Sequence, residues 1–195
     1  VAVDDILDVA VELFGSRGIR GTSIAAIADR SGLTDAGILH YFPTKTKLIG
    51  AALDRAAQRQ VAQMIALVQP GGLEAIRGLG EWGAVVESDP SLAAFSIVLS
   101  TEGLFEDSVV RDWEKRRYES IRGLGIALVQ EGIARGEIRP DADPELEASA
   151  MIAFLDGIRL QWFYTDRTLP LARTVRRYFD QIVERLAAEV PPANP

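Results

Sequence analysis

The chain's one histidine, His40, stands in the stretch SGLTDAGILHYFPTK at residues 31–45, beside Tyr41 and a turn downstream of the pair Thr34 and Asp35. These residue types do not assemble a catalytic centre. A lone imidazole, no cysteine, no GxSxG, no phosphate-cradling glycine loop and no dense carboxylate–histidine cluster together exclude the commonest catalytic and metal-holding arrangements. Acids such as Asp141 and Asp143 fall in a turn-like segment, where capping and solvation account for them. No catalytic residue, metal ligand or cofactor is therefore expected. The stretch instead carries chemistry suited to a polyanion: hydroxyls on Thr22, Thr34 and Tyr41 and ammonium groups on Lys45 and Lys47, around a run of small residues.

Such groups act together only if helices position them. Residues 4–14 place Ile6, Leu7, Ala10, Leu13 and Phe14 on one helical face, and Gly15 and Gly18 are predicted to end that helix. Thr22 or Ser23 then caps a two-turn helix bearing Ile24, Ile27 and Ala28, with Gly32 as its C′ residue. Thr34 caps a third helix with apolar Ile38, Tyr41 and Phe42; Pro43 closes it and Thr44 caps the fourth. Two short helices joined through a glycine-containing turn are the signature of a helix-turn-helix, whose second helix enters the DNA major groove. On that helix Ile38 and Phe42 face inward, while Asp35, Ala36, Gly37, Leu39 and His40 lie on or near the outer side. Small residues there admit the backbone close to base edges, and Thr22, Tyr41, Lys45 and Lys47 are placed to anchor phosphates.

Further helical patterns are predicted at 45–68, 73–87, about 93–104, 108–135, 145–165 and 171–189, broken by QPGG at 69–72 and DRTLP at 166–170. With no alternating strand pattern, about nine helices and an all-α fold follow. Apolar residues make up 48% of the chain, enough for a sizeable core. The net charge is −7, of which residues 1–50 contribute only −1, so a nearly neutral module precedes an acidic body. No apolar run approaches 18 residues and no signal-like segment is found, so the chain reads as soluble and cytoplasmic, without a membrane partner.

From ILDVAVELFGSRGIRGTS through IAAIADRSGLTDAGILHYFPTKTKLI the sequence resembles the TetR family of bacterial transcriptional regulators. Phe14, Gly18, Thr22, Ile27, Ala28, Gly32, Leu33, Ile38, Tyr41, Phe42, Lys45 and Leu48 fall where that family's amino-terminal pattern expects them, and FLDGIRLQWF is similar to a segment near the family's carboxyl end. The resemblance implies a helix-turn-helix DNA-binding domain at 1–46 and a larger effector-binding and dimerisation domain at 47–190. It further implies phosphate contacts from Thr22, Tyr41 and Lys45, and base-facing positions at Asp35, Ala36, Gly37 and His40. Asp35 and Leu39 depart from the family's habits and leave the recognition helix without lysine or arginine.

In the body, Trp82, Phe95, Leu99, Phe105, Trp113, Phe154 and the polar Gln161 are candidate effector contacts, suited to a mainly apolar compound. The last two helices show apolar stripes through Met151, Leu155, Ile158 and Trp162 and through Leu171, Val175, Tyr178 and Ile182, more than a surface helix needs. Burial against a second subunit would explain the excess, as would a thick core within one chain. The expected function is a homodimeric repressor of a palindromic operator, released by a small effector. The alternative is a ligand-binding or protein-interaction dimer whose DNA module has decayed.

Overall fold

The computed structural model describes residues 3–102, 104 and 109–188. Among these the regular elements are helices: α1 Val3–Gly21, α2 Ile24–Ser31, α3 Asp35–Tyr41, α4 Lys45–Val68, α5 Gly72–Gly78, α6 Trp82–Ser88, α7 Pro90–Glu102, α8 Val109–Ala134, α9 Pro144–Tyr164 and α10 Leu171–Leu186, with a 3-10 turn at Leu79–Glu81. The expected all-α fold is what the chain adopts. An isolated antiparallel bridge joins Ile138 to Ala187.

Packing divides the chain into two compact units, Val1–Ala62 with Asp89–Arg117, and Gln63–Ser88 with Tyr118–Pro195. The first unit has a core of Ile6, Ala10, Phe14, Ile27, Ile38 and Leu48, closed by Phe95 and Leu99 of α7. Phe14 and Phe95 stack with centroids 5.8 Å apart. Gly15 was expected to help end α1, but the helix runs through it, for a reason local sequence does not carry. A Cβ there would lie 2.8 Å from the Ser91 carbonyl oxygen and 2.9 Å from the Phe95 nitrogen, so glycine lets the backbones of α1 and α7 touch. The break comes at Gly18, whose φ of 76° and ψ of 162° kink the helix.

In the second unit, Leu171, Val175, Phe179, Ile182, Val183 and Leu186 form one buried face of α10, packed with Met151, Ile158 and Trp162 of α9 and with Ile76 and Leu79. Beside this core the buried Glu147 accepts two hydrogen bonds from Arg185, at 2.6 and 2.5 Å. The helix expected over 73–87 is instead α5, a 3-10 turn and α6. A Cβ on Gly78 would overlap the Leu67 carbonyl oxygen, and one on Gly83 would fall 2.7 Å from the Ala172 Cα, so this segment lies directly on neighbouring backbone.

Candidate nucleic-acid interface

The reader is assembled by caps. Ser23, and not Thr22, caps α2: its hydroxyl oxygen accepts from the Ala26 amide at 3.1 Å. At the other end Gly32 adopts the left-handed conformation, φ 67°, which glycine takes without steric cost. There Gly32 N–H donates to the Asp29 carbonyl at 3.2 Å and Leu33 N–H to the Ala28 carbonyl at 2.9 Å. This pair of bonds is a Schellman closure. Two residues later Thr34 starts α3, accepting from Gly37 N–H at 3.1 Å. Thr44 repeats the device for α4, accepting from Lys47 N–H at 3.1 Å. The angle between α2 and α3 is thus set by backbone and cap hydrogen bonds, with Ile27, Ala28 and Ile38 buried beneath them.

On the outside, Thr34, Asp35, Ala36, Leu39, His40, Tyr41 and Lys47 are exposed, and Gly37 and Lys45 are half-buried. Tyr41, one of the expected phosphate anchors, has 46% of its surface open and meets His40 edge-on at 5.4 Å between centroids. Thr22 is the exception. It is fully buried, and its hydroxyl is placed against the Leu13 carbonyl at 3.1 Å and the Gly18 carbonyl at 2.8 Å, so its side chain ties the kink of α1 instead of facing a phosphate. A Cβ on the half-buried Gly37 would make only ordinary contact, with Thr34 Oγ1 at 3.4 Å and Leu33 Cβ at 3.6 Å.

A model of the bacterial regulatory proteins of the tetR family matches residues 6–52, and a model of the BetI-type transcriptional repressor carboxyl-terminal domain matches residues 104–188. The chain belongs to the TetR family. This TetR-family chain is a DNA-binding transcriptional regulator and not an enzyme. It is 28% identical over 180 residues to the HTH-type transcriptional repressor KstR2 of Mycolicibacterium smegmatis, covering 90% of this chain and 85% of that one. Among solved structures it is similar to a transcriptional regulator from Saccharomonospora viridis in complex with choline, with a TM-score of 0.79, 22% identity and coverage of 95% and 97% of the two chains. It is also similar to the regulator FadR from Bacillus subtilis in complex with stearoyl-CoA, with a TM-score of 0.77, 18% identity and coverage of 92% and 96%.

The expected effector contacts of this TetR-family chain are divided between the two units. Phe95 and Leu99 are buried in the core of the first unit, and Trp113 of that unit is half-buried under the Arg117 guanidinium at 5.9 Å. Trp82, Phe154 and Gln161 belong to the second unit. There Trp82 lies under the Arg159 guanidinium at 5.8 Å, Phe154 stacks on Tyr178 at 3.5 Å, and Gln161 is exposed. Burial pushes the Tyr178 phenol above its ordinary pKa. Phe105 lies outside the described residues.

The dimerisation candidates need correcting. Met151, Ile158, Trp162, Leu171, Val175 and Ile182 are buried within the chain's own second unit, and Leu155 and Tyr178 are half-buried. The stripes that suggested a second subunit are therefore the thick core. The outer face of α10 carries Arg173, Arg176, Arg177 and Glu184, all exposed. Of these two helices α9 is the one apolar on two sides: Leu146 is 63% exposed, Leu160 40% and Tyr164 80%, with Ala150, Ala153 and Gly157 between them. The spacing of these six residues, alternately four and three, is a helical seam that could have been read directly from the sequence. Among the described residues no helix is long and apolar enough to cross a membrane, and no group of three or more His, Cys, Asp or Glu residues could hold a metal.

Proposed function

We propose that the chain is a homodimeric repressor that occupies a palindromic operator and leaves it when a small, mainly apolar effector binds. The observation that carries the reading is the capped turn between α2 and α3, which fixes a short, slim helix with a largely exposed outward face. In this reading Asp35, Ala36, Gly37 and His40 are turned to bases, with Thr34, Tyr41, Lys45 and Lys47 on the sugar-phosphate backbone. Ser23, exposed at the start of α2, takes the phosphate role expected of Thr22. The functional division at about residue 46 concerns which helices meet DNA. One reader helix spans only a few base pairs, so two copies about 34 Å apart are needed for an operator of useful length. The outward seam of α9 is the surface we assign to the second copy.

Release follows from linkage: an effector that favours a conformation with the wrong reader spacing weakens DNA binding by the factor by which DNA weakens effector binding. The element proposed to transmit this is α4, which starts beside the reader at Lys45 and ends at Val68 in the second unit. Trp82 and Phe154 of the second unit, each only partly buried, are the aromatic side chains offered to the effector. The two similar structures hold a small quaternary amine and a long acyl thioester, so the shared fold accommodates either chemistry and does not choose between them. The test is to measure stoichiometry and affinity on a palindromic duplex recovered from a random pool, then to screen amines and acyl compounds for loss of the complex. Two protomers per duplex and dissociation by a screened compound are expected. Asp35 and Leu39 on a reader lacking lysine and arginine favour the competing view of a decayed DNA module. A protein that dimerises and binds small molecules while recovering no duplex would establish that view instead.

A further inference from the structure

Resting on the DNA-binding reading, we infer that α3 selects its operator chiefly through thymine methyl groups, contacted by Ala36 and Leu39, with no two-pronged contact to guanine. At about 100° per residue, Ala36 and His40 share the middle of the face opposite the buried Ile38. Leu39 and Asp35 flank them on one side, and Gly37 and Tyr41 on the other. Leu39 is 41% exposed on a seven-residue helix whose neighbouring apolar anchors, Ile38 and Phe42, are buried. An open isobutyl group beside an alanine offers the groove water-excluding contact, and in the major groove the matching apolar feature is the C5 methyl of thymine.

The polar groups exclude the commonest alternative. Guanine is usually read by an arginine or lysine bridging its O6 and N7 acceptors, and α3 has neither residue. Arg30 of α2 is bound to Glu12 at 3.0 Å. Asp35 is exposed at the first turn of α3 and, when ionised, only accepts hydrogen bonds, so it repels guanine's acceptors and suits the amino group of adenine or cytosine. Thymine methyl and adenine amine belong to one base pair, so Leu39 and Asp35, on the same flank, are satisfied together by A·T pairs. His40 adds a single hydrogen bond.

The test uses the full chain. Duplexes are selected from a random pool at fixed salt, and each thymine of the preferred duplex is then replaced by deoxyuridine, which removes the methyl alone. Expected are A·T pairs beneath α3 and a loss of roughly three- to five-fold in affinity for each contacted thymine, the effect of one buried methyl. Leu39→Ala should erase the thymine preference at one position, whereas Lys45→Ala should weaken thymine and uracil duplexes alike. Preferred duplexes that tolerate every uracil but lose affinity on 7-deazaguanine substitution would overturn the inference and leave DNA binding standing. So would a Leu39→Ala protein with its full thymine preference. If no duplex is enriched, the DNA-binding reading fails, and this inference with it.

Discussion

Thr22 and Lys45 show how two residues read alike in sequence separate once their surroundings are known. The Thr22 hydroxyl is engaged with the Leu13 and Gly18 carbonyls inside the protein, whereas Lys45 stands half-buried at the first turn of α4. Thr22→Val keeps the shape and removes the hydroxyl, so denaturant melts should show a loss of about 1 kcal/mol with no change in the salt dependence of operator binding. Lys45→Ala should do the reverse: an ordinary melt, weaker binding to every duplex, and a log–log salt slope flatter by about 0.9 for the lost phosphate contact. An unchanged slope would remove Lys45 from the interface. The caps Gly32 and Thr34 were legible in the sequence, and Ser23 as one of two choices, because capping is local chemistry: a hydroxyl or a left-handed glycine within three residues of the amide or carbonyl it serves. The burial of Thr22 was not legible. It depends on the kink at Gly18, which folds the end of α1 back toward Leu13.

Among the elements, the pairing of α1 with α7 carries most of the first unit, and it rests on one missing methyl group. Gly15→Ala would drive a Cβ against the Ser91 carbonyl and the Phe95 amide, both backbone atoms that cannot swing aside. A destabilisation of about 1–3 kcal/mol is expected. Gly50→Ala is the control within α4, where a Cβ meets nothing within 4 Å; there helix propensity alone acts, and a gain of about 0.5–1 kcal/mol is expected. Equal effects at the two sites, measured by thermal or denaturant unfolding, would show that the α1–α7 contact is looser than described. At the far end of the pair, Glu102 accepts from the Ile19 amide at 3.1 Å, just past the kink, so α7 also fixes where the reader begins. Helix positions along the chain were readable from apolar spacing, yet the tasks of Gly15, Gly78 and Gly83 were not. Each answers to backbone distant in sequence, and a glycine that ends a helix looks the same in sequence as one that admits a neighbour.

At the scale of the whole molecule the question is what lets two readers act as one. The apolar surplus in the last two helices was real, but most of it is consumed inside the chain: α10 has one apolar face and spends it on its own unit, and what is left over lies on α9 alone. Leu146, Ala150, Ala153, Gly157, Leu160 and Tyr164 line that helix for about 27 Å at 1.5 Å per residue, with large residues at both ends and small ones in the middle. Two such helices can approach closely where the side chains are small and interlock where they are large, which suits a twofold contact. Ala153→Glu puts a carboxylate at the middle of the seam on an exposed position, so the chain should fold with unchanged helicity but sediment as a monomer. Val175→Glu, at a fully buried position, should instead fail to fold. Because a dimer presents its second reader at high effective concentration, the Ala153→Glu monomer should lose roughly 100- to 10,000-fold in affinity for a palindrome while binding an isolated half-site as well as before. Were the variant to sediment as a dimer and hold the palindrome with full affinity, the seam on α9 would not be the contact between subunits, and the spacing of the readers would have to be set by another surface.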